Sequence, residues 1–257
     1  MTQHAEAIAA PDQIAYLDAA AGTAVGLDYK QRLLGALGLL PGHTVVDIGC
    51  GPGTDLGRLA DAVGENGLVI GVDREPRMLT EAGRRFVGRR NVELRTGDVH
   101  DLPVVDASVD RARTDRVLQH VDDPAATIAQ ARRVLRPGGV FGMAEPDWDS
   151  LVVAEEDVTT SRRFSRFVAG RVRNATIGRE LVRLSTAAGL EVRSVEAIPA
   201  VFRDFETADQ ILGLRRNSAR AVEAGVLAEA DARGWLQRLR GRPFLAGFTF
   251  YLVTAQA

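Results

Sequence analysis

Three glycines lie at alternate positions directly after a short apolar segment, in residues 45–55 (Val-Val-Asp-Ile-Gly-Cys-Gly-Pro-Gly-Thr-Asp). The β-branched residues before the first glycine are typical of a buried strand. The apolar spacing of residues 56–63 predicts a helix capped by Thr54 or Asp55. Glycine lets the backbone approach a ligand closely, and a helix start offers free N–H groups. The stretch therefore predicts a cradle for a nucleotide-sized ligand.

Two positions in this stretch indicate the charge of the ligand. The dinucleotide fingerprint G-x-G-x-x-G is incomplete, because Thr54 stands at the third glycine position. Asp47 lies just before Gly49, where a carboxylate repels a pyrophosphate and suits a cationic ligand. An NAD(P)-dependent oxidoreductase is therefore the alternative and not the first interpretation.

A second acid supports the cradle. Asp73 ends another apolar strand at residues 67–73 and follows Gly49 by roughly the 20 residues at which an acid binds ribose hydroxyls. A βαβ unit places the end of its second strand beside the first glycine turn. A carboxylate there can accept hydrogen bonds from two hydroxyl groups.

These features resemble the first motif of class I S-adenosylmethionine-dependent methyltransferases. Further segments extend the resemblance over about residues 30–147, namely Gly-Asp-Val at 97–99 and Arg-Val-Leu-Arg-Pro-Gly-Gly at 133–139 before a fifth strand at 140–145. The small-molecule branch with the ubiquinone and menaquinone methyltransferases is especially similar. The resemblance implies a doubly wound, Rossmann-like α/β fold of seven strands, the last antiparallel, with a helical cap.

The resemblance implies S-adenosylmethionine as the cofactor and assigns contacts to it. Asp73 is expected to hold the ribose, while Asp98 and the backbone N–H of Val99 meet the adenine. The cofactor-binding residues expected in this way are Tyr29, Asp47, Gly49, Cys50, Gly51, Asp73, Arg74, Met78, Gly97, Asp98, Val99 and Thr114.

The chemistry of transfer is expected at the ends of the fourth and fifth strands. The predicted fourth strand at 108–114 carries charges that are costly in a sheet interior unless they are paired. His120 is the first candidate base for a nitrogen or oxygen nucleophile, with Asp115 and Glu145 as alternatives. The sulfonium is already a strong electrophile, so we expect no metal. The candidate substrate-binding residues are Tyr16, Arg116 and Trp148.

The chain divides into an N-terminal helical cap at residues 1–40, which begins with a frayed tail at 1–11, and a methyltransferase domain at 41–257. Residues 206–240 read as two amphipathic helices, split near Gly225, between the last two strands. We interpret them as a lid insert that excludes water from the transfer. The acceptor is expected to be a small molecule, and O-, N- or C-methylation stays open. A non-catalytic, cofactor-binding regulator is a further alternative.

Composition narrows the class of protein. The 257 residues carry a formal net charge of −2, which does not suggest a nucleic-acid or membrane surface. No apolar run approaches the roughly 20 residues of a membrane span, and we see no signal peptide. Cys50 is the sole cysteine, and Lys30 is the only lysine, which we interpret as compositional bias. We expect a soluble cytoplasmic protein of open oligomeric state.

Overall fold

The computed structural model describes residues 12–241 and 243–257, so the tail expected at 1–11 lies outside the described part. The helices are α1 (Gln13–Gly22), α2 (Ala24–Leu37), α3 (Leu56–Val63), α4 (Pro76–Arg85), α5 (Pro124–Val134), α6 (Val158–Ala169), α7 (Ile177–Ala187), α8 (Phe205–Leu212), α9 (Leu214–Glu223) and α10 (Glu229–Gly241). The strands are β1 (Thr44–Ile48), β2 (Leu68–Asp73), β3 (Val92–Thr96), β4 (Val109–Asp115), β5 (Leu135–Val153), β6 (Glu191–Phe202) and β7 (Ala246–Gln256).

These strands form one sheet in the order β3-β2-β1-β4-β5-β7-β6. Strands β1 to β5 pair in parallel, whereas β7 is antiparallel to both β5 and β6. The predicted doubly wound sheet with an antiparallel last strand is confirmed. Its direction of growth reverses between β1 and β4. In open α/β sheets, ligands bind at such a switch point, outside the carboxyl ends of the strands.

The fifth strand is longer than predicted. We expected it to end at Glu145, but β5 continues to Val153 because β7 pairs with it along most of its length. Glu145 and Asp147 therefore lie within the β5–β7 strand pair, and the pairing register shifts between Asp147 and Val152. Asp147 is buried, and its carboxylate pairs with the Arg179 guanidinium at 2.5 and 2.7 Å.

The segment 206–240 contains three helices where two were predicted. The additional break falls at Gly213, whose φ of 62° ends α8 in the left-handed conformation that glycine adopts readily. Helix α8 contacts α1, whereas α9 and α10 pack with α6. Only the first part of the predicted insert therefore lies beside the N-terminal helices.

The N-terminal helices are anchored to the sheet. Asp12 caps α1 by accepting hydrogen bonds from the N–H groups of Ile14 and Ala15. The ring of Tyr29 on α2 stacks on Phe250 of β7, with centroids 4.4 Å apart.

None of the helices in the described ranges is long and apolar enough to cross a membrane.

Candidate active site

A cleft of about 400 Å³ lies at the carboxyl ends of β1, β2 and β4. Its floor is the glycine turn, where Gly49 and Gly51 have φ values of 72° and 54°. A Cβ atom on Gly49 would lie 2.5 Å from Val117 Cγ2, so the turn also requires glycine for packing. The predicted cradle is therefore present, with an open space above it.

The predicted ribose acid holds the turn in place. Asp73 accepts a hydrogen bond from the Gly51 N–H at 2.8 Å and another from the Glu75 N–H at 2.9 Å. Each carboxylate oxygen retains a lone pair that can accept from a ligand hydroxyl. The carboxylate is thus fixed in position at the wall of the cleft.

Most of the predicted cofactor residues line this cleft. They are Asp47, Gly49, Cys50, Gly51, Asp73, Arg74, Met78 and Val99. The cleft is also lined by the candidate base residues His120 and Asp115, by Arg116, and by residues that were not predicted, among them Leu17, Lys30, Asp55, His100 and Arg113.

Four predicted cofactor residues lie elsewhere. Tyr29 lines the second cavity described below, and the other three lie outside the cleft for physical reasons. The Asp98 carboxylate faces His100, from which it accepts a backbone hydrogen bond at 2.9 Å and which it contacts through the ring nitrogen at 2.7 Å. Gly97 lies against Pro103, where a Cβ atom would clash at 2.5 Å from Pro103 Cδ. Thr114 is fully buried within the sheet. The residues that follow Asp98, namely Val99 and His100, line the cleft instead.

Buried charges lie beneath the cleft. Lys30 of α2 pairs with Asp55 and with Asp115 at the end of β4. Arg113 donates to both of these acids at 3.0 Å and lies 3.5 Å from Asp47. We call these five side chains the charge network. It satisfies the condition that charges in the central strand be paired, with one partner that comes from the N-terminal helices.

The charge network sets the protonation of its acids. Burial raises the pKa of Asp47 to about 6, against the opposing charge of Arg113. Burial acts in the same direction on Asp55, but the charges of Arg113 and Lys30 outweigh it and hold its pKa below the usual range. Desolvation also acts to raise the pKa of Asp115, but the charges of Lys30, Arg116 and Arg113 together outweigh it and lower the pKa. Asp55 is therefore a network member and makes no side-chain cap on α3.

Lys30 is the main residue that sequence reasoning missed. Its side chain is 5% exposed, and we interpreted it as compositional bias. Its position on α2 near apolar residues was an available signal of burial. A buried lysine needs an acidic partner. The partners themselves were beyond local inspection, since Asp115 lies 85 residues away.

A second cavity of about 170 Å³ adjoins the cleft, and we call it the ring pocket. Its aromatic lining consists of Tyr16, Tyr29, Trp148, Phe202, Phe248 and Phe250. The predicted cofactor residue Tyr29 lines this pocket and not the cleft, and its hydroxyl donates to Asp115 at 3.0 Å. Leu17, Arg116 and His120 line both cavities, so they mark the junction between them.

The loop after β4 presents His120 at this junction. Glu145 is fully buried and accepts hydrogen bonds from the N–H groups of Val117 and Leu118 at 2.9 and 2.7 Å. It lines neither cavity, so the structure does not support it as a base. Trp148 donates to the Gln119 side chain at 2.7 Å and fixes the same loop. Partial burial and the charge of Arg116 lower the pKa of His120.

The fold and the cleft define a doubly wound α/β domain with a cofactor-sized site at its switch point. Residues 39–189 match the sequence pattern of the family described as a methyltransferase domain. The chain belongs to this family, and its class is that of the S-adenosylmethionine-dependent methyltransferases. The resemblance inferred from the motifs is confirmed, and the match does not support a nicotinamide-dependent oxidoreductase.

The chain is also similar to individual proteins. The chain is 51% identical to an uncharacterized 37.1 kDa protein in a transposon of Streptomyces fradiae, over 97% of this chain and 72% of that protein. A demethylmenaquinone methyltransferase of Staphylococcus aureus is 28% identical over 56% of this chain and 60% of the relative. A solved S-adenosylmethionine-dependent methyltransferase from Aquifex aeolicus has a TM-score of 0.52 at 24% identity, over 64% of this chain and 81% of that structure. This structural likeness concerns the fold.

Proposed function

We propose that this enzyme transfers a methyl group from S-adenosylmethionine to a small-molecule acceptor without a metal. The observation that carries the proposal is the pair of adjoining cavities. The cleft has a glycine turn and the fixed carboxylate of Asp73, as a nucleoside requires. The ring pocket meets it at Arg116 and His120, so an acceptor there would lie beside the cofactor.

In this proposal, Asp73 binds the ribose hydroxyls and Met78 and Val99 flank the adenine. Asp47 faces the cationic methionine end. The cofactor supplies an electrophilic methyl group, so the protein needs mainly to align the nucleophile with it. A donor set for a metal is not apparent, since the described residues contain no group of three His, Cys, Asp or Glu side chains arranged to hold one.

His120 serves as the base in this proposal. Its lowered pKa keeps the imidazole neutral at pH 7, so it can accept the proton of a hydroxyl or amino nucleophile. Arg116 and the aromatic walls hold the acceptor. A cap formed by α1, α2 and α8 excludes water, which protects the transfer.

Calorimetry with S-adenosylmethionine and with NAD tests the cofactor site. We expect the former to bind and the latter not to bind. Asp73→Ala should weaken binding, since it removes charge-assisted hydrogen bonds worth roughly 1.5–3 kcal/mol each. Asp61→Ala is the matched control, because Asp61 is an exposed acid on α3. Unchanged affinity in Asp73→Ala would reject the assignment of the ribose acid.

Transfer from labelled S-adenosylmethionine to a cell extract tests the chemistry. We expect His120→Ala to lower turnover by about 10²–10⁴ while affinity for S-adenosylhomocysteine is kept. His43→Ala is the control, since His43 lies just before β1, at the opposite end of that strand from the cleft. A chelator should leave the rate unchanged. Cofactor binding without transfer to any acceptor would favour the regulator alternative.

A further inference from the structure

The ring pocket has the size of a single ring. Its volume is about 170 Å³, and an apolar cavity of about 150 Å³ in another protein takes up benzene. Trp148 stacks on Phe248 at 4.8 Å between centroids, and Tyr29 stacks on Phe250 at 4.4 Å. The aromatic walls would pack against a planar apolar body.

One charge enters this apolar pocket. Arg116 is the only Lys, Arg, Asp or Glu residue that lines it in the described part of the chain. Its Nε atom is buried without a hydrogen-bond partner, and the nearest acid oxygen, Oδ1 of Asp115, is 3.6 Å away. A buried donor without an acceptor is costly, and a guanidinium pairs best with a carboxylate through two parallel hydrogen bonds.

The other buried cations are already engaged. In the charge network, three acids face Lys30 and Arg113. One of these acids, Asp115, also lies 3.6 Å from Arg116 Nε, an ion-pair distance that is too long for a hydrogen bond. The Nε–H of Arg116 therefore stays available for the acceptor.

The backbone of Arg116 is held in an unfavourable conformation. Its φ of 58° lies in the left-handed region, which a residue with a Cβ atom avoids. Two hydrogen bonds hold it there, from its N–H to the Ala144 carbonyl at 2.9 Å and from Gln119 Nε2 to its own carbonyl at 3.2 Å. Glycine would suit this backbone better, so the presence of arginine points to its side chain.

We propose that the methyl acceptor is a compound with one apolar ring and a carboxylate, and that Arg116 binds this carboxylate in the ring pocket. This inference rests on the proposed function. A phosphate ester fits less well, because a dianion would call for a second cation and the described lining offers none. The acceptor carries its nucleophile on the ring side that faces His120.

Every bond, proton and charge in the proposed methyl transfer is accounted for. The oxygen or nitrogen nucleophile forms a bond to the methyl carbon as the bond from that carbon to sulfur breaks. The nucleophile's proton goes to the His120 imidazole and afterwards to water. The sulfonium becomes the neutral thioether of S-adenosylhomocysteine, and the Arg116-bound carboxylate is unchanged.

Ligand-detected NMR on protein saturated with S-adenosylhomocysteine tests the inference, with benzoate, benzamide and phenylphosphonate as probes. We expect benzoate to bind at least about tenfold more tightly than benzamide, as a charge-assisted pair predicts. Arg116→Gln should abolish this preference. Arg116→Gly should do the same, and it keeps a backbone that can adopt the left-handed conformation. Arg171→Gln is the control, since Arg171 stacks on Phe167 and lines neither cavity.

Several outcomes would overturn the inference. Equal binding of benzoate and benzamide would do so, as would tighter binding of phenylphosphonate. A tenfold loss of S-adenosylhomocysteine affinity in both Arg116 variants, with the benzoate preference intact, would assign Arg116 to the cofactor carboxylate. Failure of the wild-type protein to bind S-adenosylhomocysteine would instead contradict the proposed function itself.

Discussion

Buried carboxylates at the candidate active site hold neighbouring groups in place. Burial raises the pKa of Glu145 to about 8, although hydrogen bonds from the backbone of Leu118 and Val117 act in the opposite direction. The side chain organises the turn that carries His120, and it does so from inside the sheet. We therefore regard Glu145 as a positioning residue.

We expect Asp47 to give the proposed cofactor site a pH dependence. Its pKa of about 6 in the ligand-free fold lies above the ordinary 3.8 because it is buried. A cationic ligand favours the ionised carboxylate, so the bound state holds fewer protons than the free state. We expect affinity for S-adenosylmethionine to fall by up to about tenfold per pH unit below pH 6, as proton linkage requires.

Calorimetry from pH 5 to pH 8 measures this effect. Asp47→Asn should bind more weakly at pH 8 and lose most of the dependence. The stability of the ligand-free protein depends on pH in the opposite direction. The folded state holds the extra proton between about pH 4 and pH 6, so the contribution of Asp47 to stability declines as pH rises through that window. A flat affinity profile in the wild type would contradict the assignment.

At the scale of elements, the charge network joins parts of the fold that are distant in sequence. It links α2 through Lys30, the start of α3 through Asp55, and the end of β4 through Asp115. Arg111 adds a further link, because its guanidinium donates to the Leu37 carbonyl at 2.6 Å and so satisfies the end of α2. The N-terminal helices are thus fastened to the switch point by charged contacts as well as by packing.

Lys30→Met is expected to destabilise the protein by about 3–5 kcal/mol, since Asp55 and Asp115 stay buried and lose one of their two hydrogen-bonded cations. Methionine keeps the length and apolar stem of lysine, so the loss reflects charge. The measurement is urea unfolding at pH 7.5. Arg32→Met on the exposed face of the same helix should leave the midpoint unchanged, because its pair with Asp28 is solvated. Equal midpoints for the Lys30 variant and the wild type would show that the network is not stabilising.

At the scale of the whole molecule, α1 extends along both cavities. Gln13 lines the cleft, Tyr16 and Ala20 line the ring pocket, and Leu17 lines both. The Tyr16 hydroxyl donates to the Ile211 carbonyl of α8 at 3.4 Å, which joins the two helices over the site. Access to either cavity therefore depends on how α1 lies against α8.

Hydrogen exchange should reveal this cap. We expect amides of α1 and α8 to exchange more slowly once S-adenosylhomocysteine and benzoate are bound, because ligands favour the closed arrangement. Amides of α5 serve as an internal control, since no residue of α5 lines either cavity. Exchange in α1 that is identical with and without ligands would argue against closure.

The sequence alone determined the parts of this protein that depend on short-range pattern. Alternation of apolar strands, glycine turns and amphipathic helices specified the parallel sheet, because each βαβ unit is local and its handedness is restricted. The same logic placed Asp73 beside Gly51, where a 2.8 Å hydrogen bond now joins them. The family resemblance rested on these motifs.

Only the tertiary structure decided which side chains come into contact beyond the local βαβ units. Glu145 looked like a strand-end acid, but β5 continues past it in its pairing with β7, and Glu145 is buried there. Lys30 looked incidental until α2 folded onto the sheet and placed its ammonium between Asp55 and Asp115. The role of a charged side chain depends on burial and on partners that lie far along the chain, and local sequence patterns contain neither.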